Sequence, residues 1–254
     1  MALFRMNKKK KTATGSAERP RLNKSSPFAI KEAYNSIRTK LIFTGKGEKC
    51  PVFAVTSSLA SDGKSTNSVS LAVSIAMAEQ RVLLIDADMR KPSVHRYFGL
   101  EAKNGLSEIL AGLTTEIKLR STDTEGLSIL TAGQIPPNPA ELLGSKQMDM
   151  LLDYVRQYFD YVIIDTPPVN IVTDASIISD KITGYIFIVQ SGKNHVQDLK
   201  AAFSQIEEMK GDIVGVILND PDDKAEAHYS YHYNKYYRYA RYKYYGENSS
   251  EKKK

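Results

Sequence analysis

The stretch that decides the fold is Val52-Phe53-Ala54-Val55-Thr56 running into Ser57-Ser58-Leu59-Ala60-Ser61-Asp62-Gly63-Lys64-Ser65-Thr66. A short apolar run, a Ser/Gly loop ending in Gly-Lys-Ser-Thr and a long apolar-faced segment follow one another. This order is the strand–loop–helix of a phosphate-binding (Walker A) loop. Its amides and the helix N-terminus point at phosphate, with Ser58, Ala60, Ser61, Asp62, Gly63, Lys64, Ser65 and Thr66 as the candidate nucleotide-binding residues. Lys64 reaches the β/γ oxygens and Ser65 offers an oxygen to magnesium. Ser58 stands where the pattern has its first glycine, and is small enough to make the turn.

Outward from this loop, short Val/Ile-rich runs alternate with helical patterns. Strands are expected at Val52–Thr56, Val82–Asp86, Leu127–Leu130, Tyr161–Asp165, Tyr185–Gln190 and Ile213–Leu218. Most are apolar throughout, as strands covered on both faces are. Helices are expected at Lys64–Glu79, Leu142–Tyr158, Asp174–Asp180 and Val196–Met209, with an earlier one from Phe28 whose Ile30, Tyr34, Ile37 and Leu41 share a side. The alternation predicts an α/β fold, a doubly wound, mostly parallel sheet of the P-loop NTPase type with helices on both faces.

Two further strands end in carboxylates: Leu84-Ile85-Asp86-Ala87-Asp88-Met89-Arg90-Lys91-Pro92 and Ile163-Ile164-Asp165-Thr166-Pro167-Pro168. In open sheets of this kind, ligands gather at the carboxyl ends of the strands. Asp86, Asp88 and Asp165 are hard oxygen donors suited to magnesium held jointly with phosphates. Asp86 or Asp88 could also take a proton from a hydroxyl nucleophile. Any one Asp alone could cap a helix, and that is the reading given to Asp174. Pro136, Pro137 and Pro139 fix an extended loop, Pro139 suiting a helix's first turn.

The 254 residues carry a formal charge of +6, unevenly spread. Residues 1–25 hold eight Lys/Arg and one Glu, and residues 228–254 seven and two, so the stretch between is acidic. The expected organisation is a basic flexible arm (1–27), a P-loop domain (28–227) and a flexible tail (228–254). That tail holds nine of the fifteen tyrosines: Tyr229, Tyr231, Tyr233, Tyr236, Tyr237, Tyr239, Tyr242, Tyr244 and Tyr245. An acidic core argues against a folded nucleic-acid-binding face, although basic, tyrosine-rich tails could touch polyanions or anionic lipid. The single cysteine, Cys50, excludes an internal disulfide framework. The lysine-rich start is unlike a secretory signal and no long apolar run occurs, which predicts a cytoplasmic address.

These three motifs, with Gly133-Gln134-Ile135-Pro136-Pro137-Asn138-Pro139-Ala140-Glu141-Leu142-Leu143 and the tyrosine tail, resemble the bacterial tyrosine kinases. The likeness is to the separate cytoplasmic kinase of Gram-positive capsular and exopolysaccharide systems, and runs from about Phe28 to the end. The resemblance implies Mg-ATP-dependent autophosphorylation of the tail tyrosines and assembly into a homo-oligomeric ring. It also implies a transmembrane activator of the polysaccharide co-polymerase type, which recruits the kinase to the inner face of the membrane, and a partner tyrosine phosphatase. Lys64 would be catalytic and Ser65 would hold phosphate and magnesium. Asp86 would be the base, with Asp88 and Asp165 in the magnesium shell and Arg90 and Lys91 near the phosphates or the incoming chain. The ring-forming Glu-x-x-Arg-x-x-Arg pattern keeps Glu32 and Arg38, but Asn35 replaces its middle arginine. The alternative is a positioning ATPase of the ParA/MinD type without kinase activity, which would carry a lysine where Leu59 stands and no tyrosine tail. The nitrogenase iron-protein branch would need cluster cysteines. No specific nucleic-acid partner is expected.

Overall fold

The computed structural model describes residues 19–220, so the tail tyrosines and the first eighteen residues lie outside the described part. A seven-stranded sheet forms the centre, in the order β3-β4-β2-β5-β1-β6-β7. Its strands are β1 (Val52–Ser57), β2 (Val82–Asp86), β3 (Arg120–Ser121), β4 (Leu127–Leu130), β5 (Tyr161–Asp165), β6 (Gly184–Gln190) and β7 (Ile213–Asn219). All neighbours run parallel except the short β3, which pairs antiparallel with β4. The helices are α1 (Phe28–Thr44), α2 (Lys64–Ala76), α3 (Leu106–Leu110), α4 (Pro139–Leu143), α5 (Lys146–Val155) and α6 (Val196–Glu208).

The continuous apolar runs are explained by two cores, one on each face. Along β1, Val52 and Ala54 face the core under α3–α6, whereas Phe53 and Val55 face the core under α1 and α2. Successive side chains of a strand point to opposite faces, so a strand feeding both cores has no polar position to spare. Helix α2 is buried along nearly its whole length, roofed by Tyr34, Ile37 and Leu41 of α1. Ile30 stays half exposed, so the apolar side of α1 makes contact only from its second turn onward.

Three local expectations change. The helix expected over Leu142–Tyr158 breaks at Gly144-Ser145, where Ser145 is extended and its hydroxyl donates to the Leu142 carbonyl. The helix expected at Asp174–Asp180 is a 3-10 turn over Ser176–Lys181, and Asp174 does not cap it. Residues 19–27, expected as the end of a mobile arm, pack as a strap instead. Leu22 is buried, its N–H donates to Ser70 Oγ, and Arg21 forms a paired contact with Asp123 at 2.7 and 2.8 Å. Among the described residues no helix is long and apolar enough to cross a membrane.

Candidate active site

The phosphate loop joins β1 to α2 at the carboxyl end of the sheet. Its shape is held by backbone and by distant side chains. Ser61 and Gly63 take positive φ angles of 63° and 91°. A Cβ on Gly63 would sit 2.3 Å from Asn219 Nδ2, so glycine is required there on two counts. Asn219, at the end of β7, donates to the Asp62 carbonyl and accepts from Asn67 on α2. The Asp62 carboxylate is fully buried and receives the Leu59 N–H at 3.0 Å, Lys193 Nζ at 2.8 Å and Asn194 Nδ2 at 3.0 Å. Asn194 also donates to Ser58 Oγ. The loop after β6 therefore clamps the phosphate loop from outside.

Ala60, Ser61, Gly63, Lys64, Ser65 and Thr66 line one cavity of about 750 Å³, and Asp88 and Arg90 form part of its wall. Ser58 and Asp62 lie under the loop and shape it. Asp86 and Asp165 end the adjacent strands β2 and β5, paired in register and wholly buried. Asp165 Oδ1 accepts from Ser68 at 2.8 Å, and Asp86 Oδ2 accepts the Ser93 and Val94 N–H groups. One oxygen of each, Asp86 Oδ1 and Asp165 Oδ2, has no hydrogen-bond partner among the described residues.

Burial pushes the Asp165 carboxyl up to about 6, opposed by the Ser65 and Ser68 hydroxyls and by the charge of Lys64. Burial, and then the charge of Asp165, raise Asp86 well above the usual carboxylate range. Burial also lowers the Lys64 ammonium, against the pull of Asp165, Asp88 and Asp62. Arg19, Lys64, Arg90, Lys91 and Arg96 line the cavity, but the two buried carboxylates behind it keep open oxygens and are themselves short of positive charge. No three His, Cys, Asp or Glu side chains form a ready-made metal cluster among the described residues. A cation here would take one or two protein oxygens and the rest from phosphate and water, the habit of magnesium. The residues fit such an ion.

The 3-10 turn at Val94–Tyr97 joins this site to the strap. Its start supplies the amides on Asp86, and the Tyr97 hydroxyl lies 2.8 Å from Thr66 Oγ1. Arg21 Nε donates to the Tyr97 carbonyl, and its guanidinium sits 4.6 Å over the Phe98 ring.

Sequence spacing missed four contributors: Asp174, Lys193, Asn194 and Asn219. Each meets its partner across more than eighty residues, and no short motif encodes such a meeting. Glu32 and Arg38 belong to α1 and lie apart from the cavity. Asn35 donates to Glu32 Oε1, and Arg38 donates to the Ser74 carbonyl at 2.8 Å. Cys50 is buried, and burial raises its thiol to about 11, which suits a packing role.

Fold and loop together define a nucleotide-binding α/β domain of the P-loop class, and residues 52–213 match the family described as an AAA domain. The chain belongs to the bacterial tyrosine-protein kinases. It is 37% identical over 202 residues to the tyrosine-protein kinase YwqD of Bacillus subtilis, a match spanning 79% of this chain and 85% of that one. The chimerical protein CapA2B2 superposes with a TM-score of 0.71 at 34% identity, over 78% of this chain and 87% of the other. The kinase domain of Escherichia coli Etk gives 0.72 at 33%, over 75% of each chain. Septum-site and plasmid-partition proteins align at 19% and 22% identity with TM-scores of 0.55 and 0.53, which shows the shared fold alone.

Proposed function

We propose that this chain transfers the γ-phosphoryl group of ATP to tyrosine hydroxyls, chiefly those of the 228–245 cluster on neighbouring copies, in the service of capsular or exopolysaccharide synthesis. The observation that carries the chemistry is the buried pair Asp86 and Asp165, each with an oxygen left without a hydrogen-bond partner among the described residues, and Lys64 beside Asp165. Lys64 and the loop amides hold the β and γ oxygens, Ser65 faces the metal position, and Thr66 is fixed by Tyr97. Magnesium, bound with the nucleotide, would offset the negative charge that spreads over the phosphate oxygens. Asp88 and Asp165 are its proposed protein partners.

Asp86 takes the phenolic proton at Oδ1, directly or through one water, since that oxygen is free and its proton affinity is raised. The tyrosine oxygen then bonds to the γ-phosphorus as the bond to the bridging oxygen breaks, and ADP leaves. The reading includes a ring of identical subunits with α1 at the contact, a transmembrane activator that brings the kinase to the membrane's inner face, and a phosphatase that resets the tail.

ATP-dependent phosphotyrosine on the purified full chain, beside Lys64→Met, tests this reading. Labelling should disappear in the variant while its circular dichroism stays that of the wild type, because a preorganised cation on the transferring group is lost. Equal labelling in both proteins would overturn the assignment. ATP hydrolysis without phosphotyrosine, with or without an activator, would return the chain to the positioning ATPases.

A further inference from the structure

Besides Asp62, one other fully buried carboxylate plays no part in this chemistry. Asp174 lies in the connection between β5 and β6, fully buried, and accepts hydrogen bonds from Arg90 Nε at 2.9 Å and Nη2 at 3.0 Å. The partners are 84 residues apart, so only the fold brings them together. Arg90 extends from the loop after β2, two residues past Asp88. Its side chain stays 43% exposed and lines the same cavity as Lys64, Ser65 and Asp88.

A guanidinium is flat and carries five N–H donors in fixed directions. A two-point contact with a carboxylate sets the plane as well as the place of the group. With Nε and Nη2 engaged, the direction of the remaining edge is also fixed, and Nη1 has no partner among the described residues. Burying a whole carboxylate to staple a half-exposed arginine is an expensive way to join two loops, since neutral side chains would do it without desolvating a charge. The arrangement makes physical sense where the orientation of the arginine is what matters.

We infer that Asp174 is a positioning residue: it holds Arg90 so that the free donor edge meets the terminal phosphate of a nucleotide seated on Lys64. The inference rests on the kinase reading and deepens it. ADP lacks the group that Arg90 would meet, so the pair distinguishes ATP from ADP and contributes most as charge builds on the transferring phosphoryl. A mere staple would have no such preference.

The test measures equilibrium binding of Mg-ADP and of a magnesium-bound, non-hydrolysable ATP analogue to the full chain, for wild type, Asp174→Asn, Arg90→Gln and the double variant. Each single variant should weaken the ATP analogue about tenfold and leave ADP within about twofold. The double should be no worse than either single, as expected for residues acting as one unit. Saturated phosphotransfer should fall in parallel. An unchanged ratio of the two affinities, or an equal loss of both with a lowered Tm, would reduce the pair to a staple and overturn the inference. If Asp174→Asn does not fold, Arg90→Lys decides, because lysine keeps the charge but cannot make the paired contact. A wild type that binds neither nucleotide would sink the kinase reading itself, a result distinct from these.

Discussion

Four carboxylates among the described residues are fully buried, and they divide into two regions with opposite electrostatics. At the flanks, Asp62 meets Lys193 and Asp174 meets Arg90, each pair at 2.8–2.9 Å. At the centre, Asp86 and Asp165 face each other across β2 and β5 with hydroxyls and amides for company, and each has an oxygen left over. In the flanking pairs each carboxylate has its cation: Asp62 holds a loop, and Asp174 holds the Arg90 side chain. In the central pair Lys64 acts on Asp165 but no ion pair is formed among the described residues, and a buried charge without a partner is too unfavourable to persist by accident. The lesson is to separate carboxylates that shape the site from those that work in it by asking which lack a cation.

The largest effect should come from neutralising the centre. Asp86→Asn and Asp165→Asn should each cut phosphotransfer by at least about a hundredfold, as expected where a base or a metal partner is lost. Without nucleotide the same changes should not destabilise the fold, because they relieve repulsion between buried anions. The pH dependence follows from the raised proton affinities. A carboxyl that titrates at about 6 when folded, against an ordinary value of about 3.9, favours the fold fully below about 4 and loses that contribution as the pH rises through 6. The Tm of the nucleotide-free chain should therefore decline between pH 5 and 7, and the decline should flatten in Asp165→Asn. A Tm that rises over that range in the wild type would contradict the contrast between centre and flanks.

Breaking the Asp62 flank should act on stability first. Lys193→Ala leaves the Asp62 carboxylate buried with only the Leu59 N–H and Asn194 amide, at a cost of about 1–3 kcal/mol. For a domain of this size that is about 2–4 °C in Tm per kcal/mol. Asp62→Asn, which removes the charge with its partner left in water, should lose less than Lys193→Ala. The reverse order would mean that Asp62 behaves like the central pair.

The sequence made the centre legible and left the flanks obscure, for physical reasons. Phe53, Val55, Ile163 and Ile164 form unbroken apolar runs because both sheet faces are covered, and local composition records that directly. Lys64, Asp86, Asp88 and Asp165 follow from their places at strand ends. The partnership of Asp174 with Arg90 depends on how two distant loops meet, so a helix-cap reading of Asp174 was the natural local one and was wrong. The break at Gly144-Ser145 was likewise hidden, since Leu142, Leu151 and Leu152 keep a helical rhythm across it. Leu22 is a lone apolar residue among polar ones, and nothing nearby signals that it is buried by α2.

That strap provides a smaller test. Removing residues 1–18 should leave Tm unchanged, whereas removing 1–26 should lower it by several degrees. The second truncation exposes the site of Leu22, worth about 1.5–3 kcal/mol, and frees Tyr97 from Arg21. Because Tyr97 touches Thr66, phosphotransfer should weaken with it. Equal behaviour of the two truncations would show that the strap adds nothing to the body it covers.

The smallest effect on the subunit itself is expected at Asn35, where the same reasoning about partners is applied to α1, the proposed assembly helix. Glu32 is already engaged by Asn35, and Arg38 is turned inward onto the Ser74 carbonyl at the end of α2. Neither resembles the central carboxylates: both charges have found partners within their own subunit. A ring contact through Arg38 would have to give up a charge-assisted hydrogen bond, and the absent middle arginine removes a donor that has no such commitment. Asn35→Arg restores it. On an exposed helix, an arginine three residues from Glu32 contributes only about 0.2–0.5 kcal/mol, so Tm should stay within about 2 °C of wild type. What should change is mass: light scattering over a concentration series should show larger species at lower protein concentration than for the wild type. Arg38→Ala should do the opposite to the subunit, costing stability by leaving the Ser74 carbonyl unpaired. If Asn35→Arg leaves the mass unchanged while Arg38→Ala lowers it, Arg38 reaches across to a neighbour in spite of its inward contact. The rule that a satisfied charge stays at home would then hold only for the buried carboxylates.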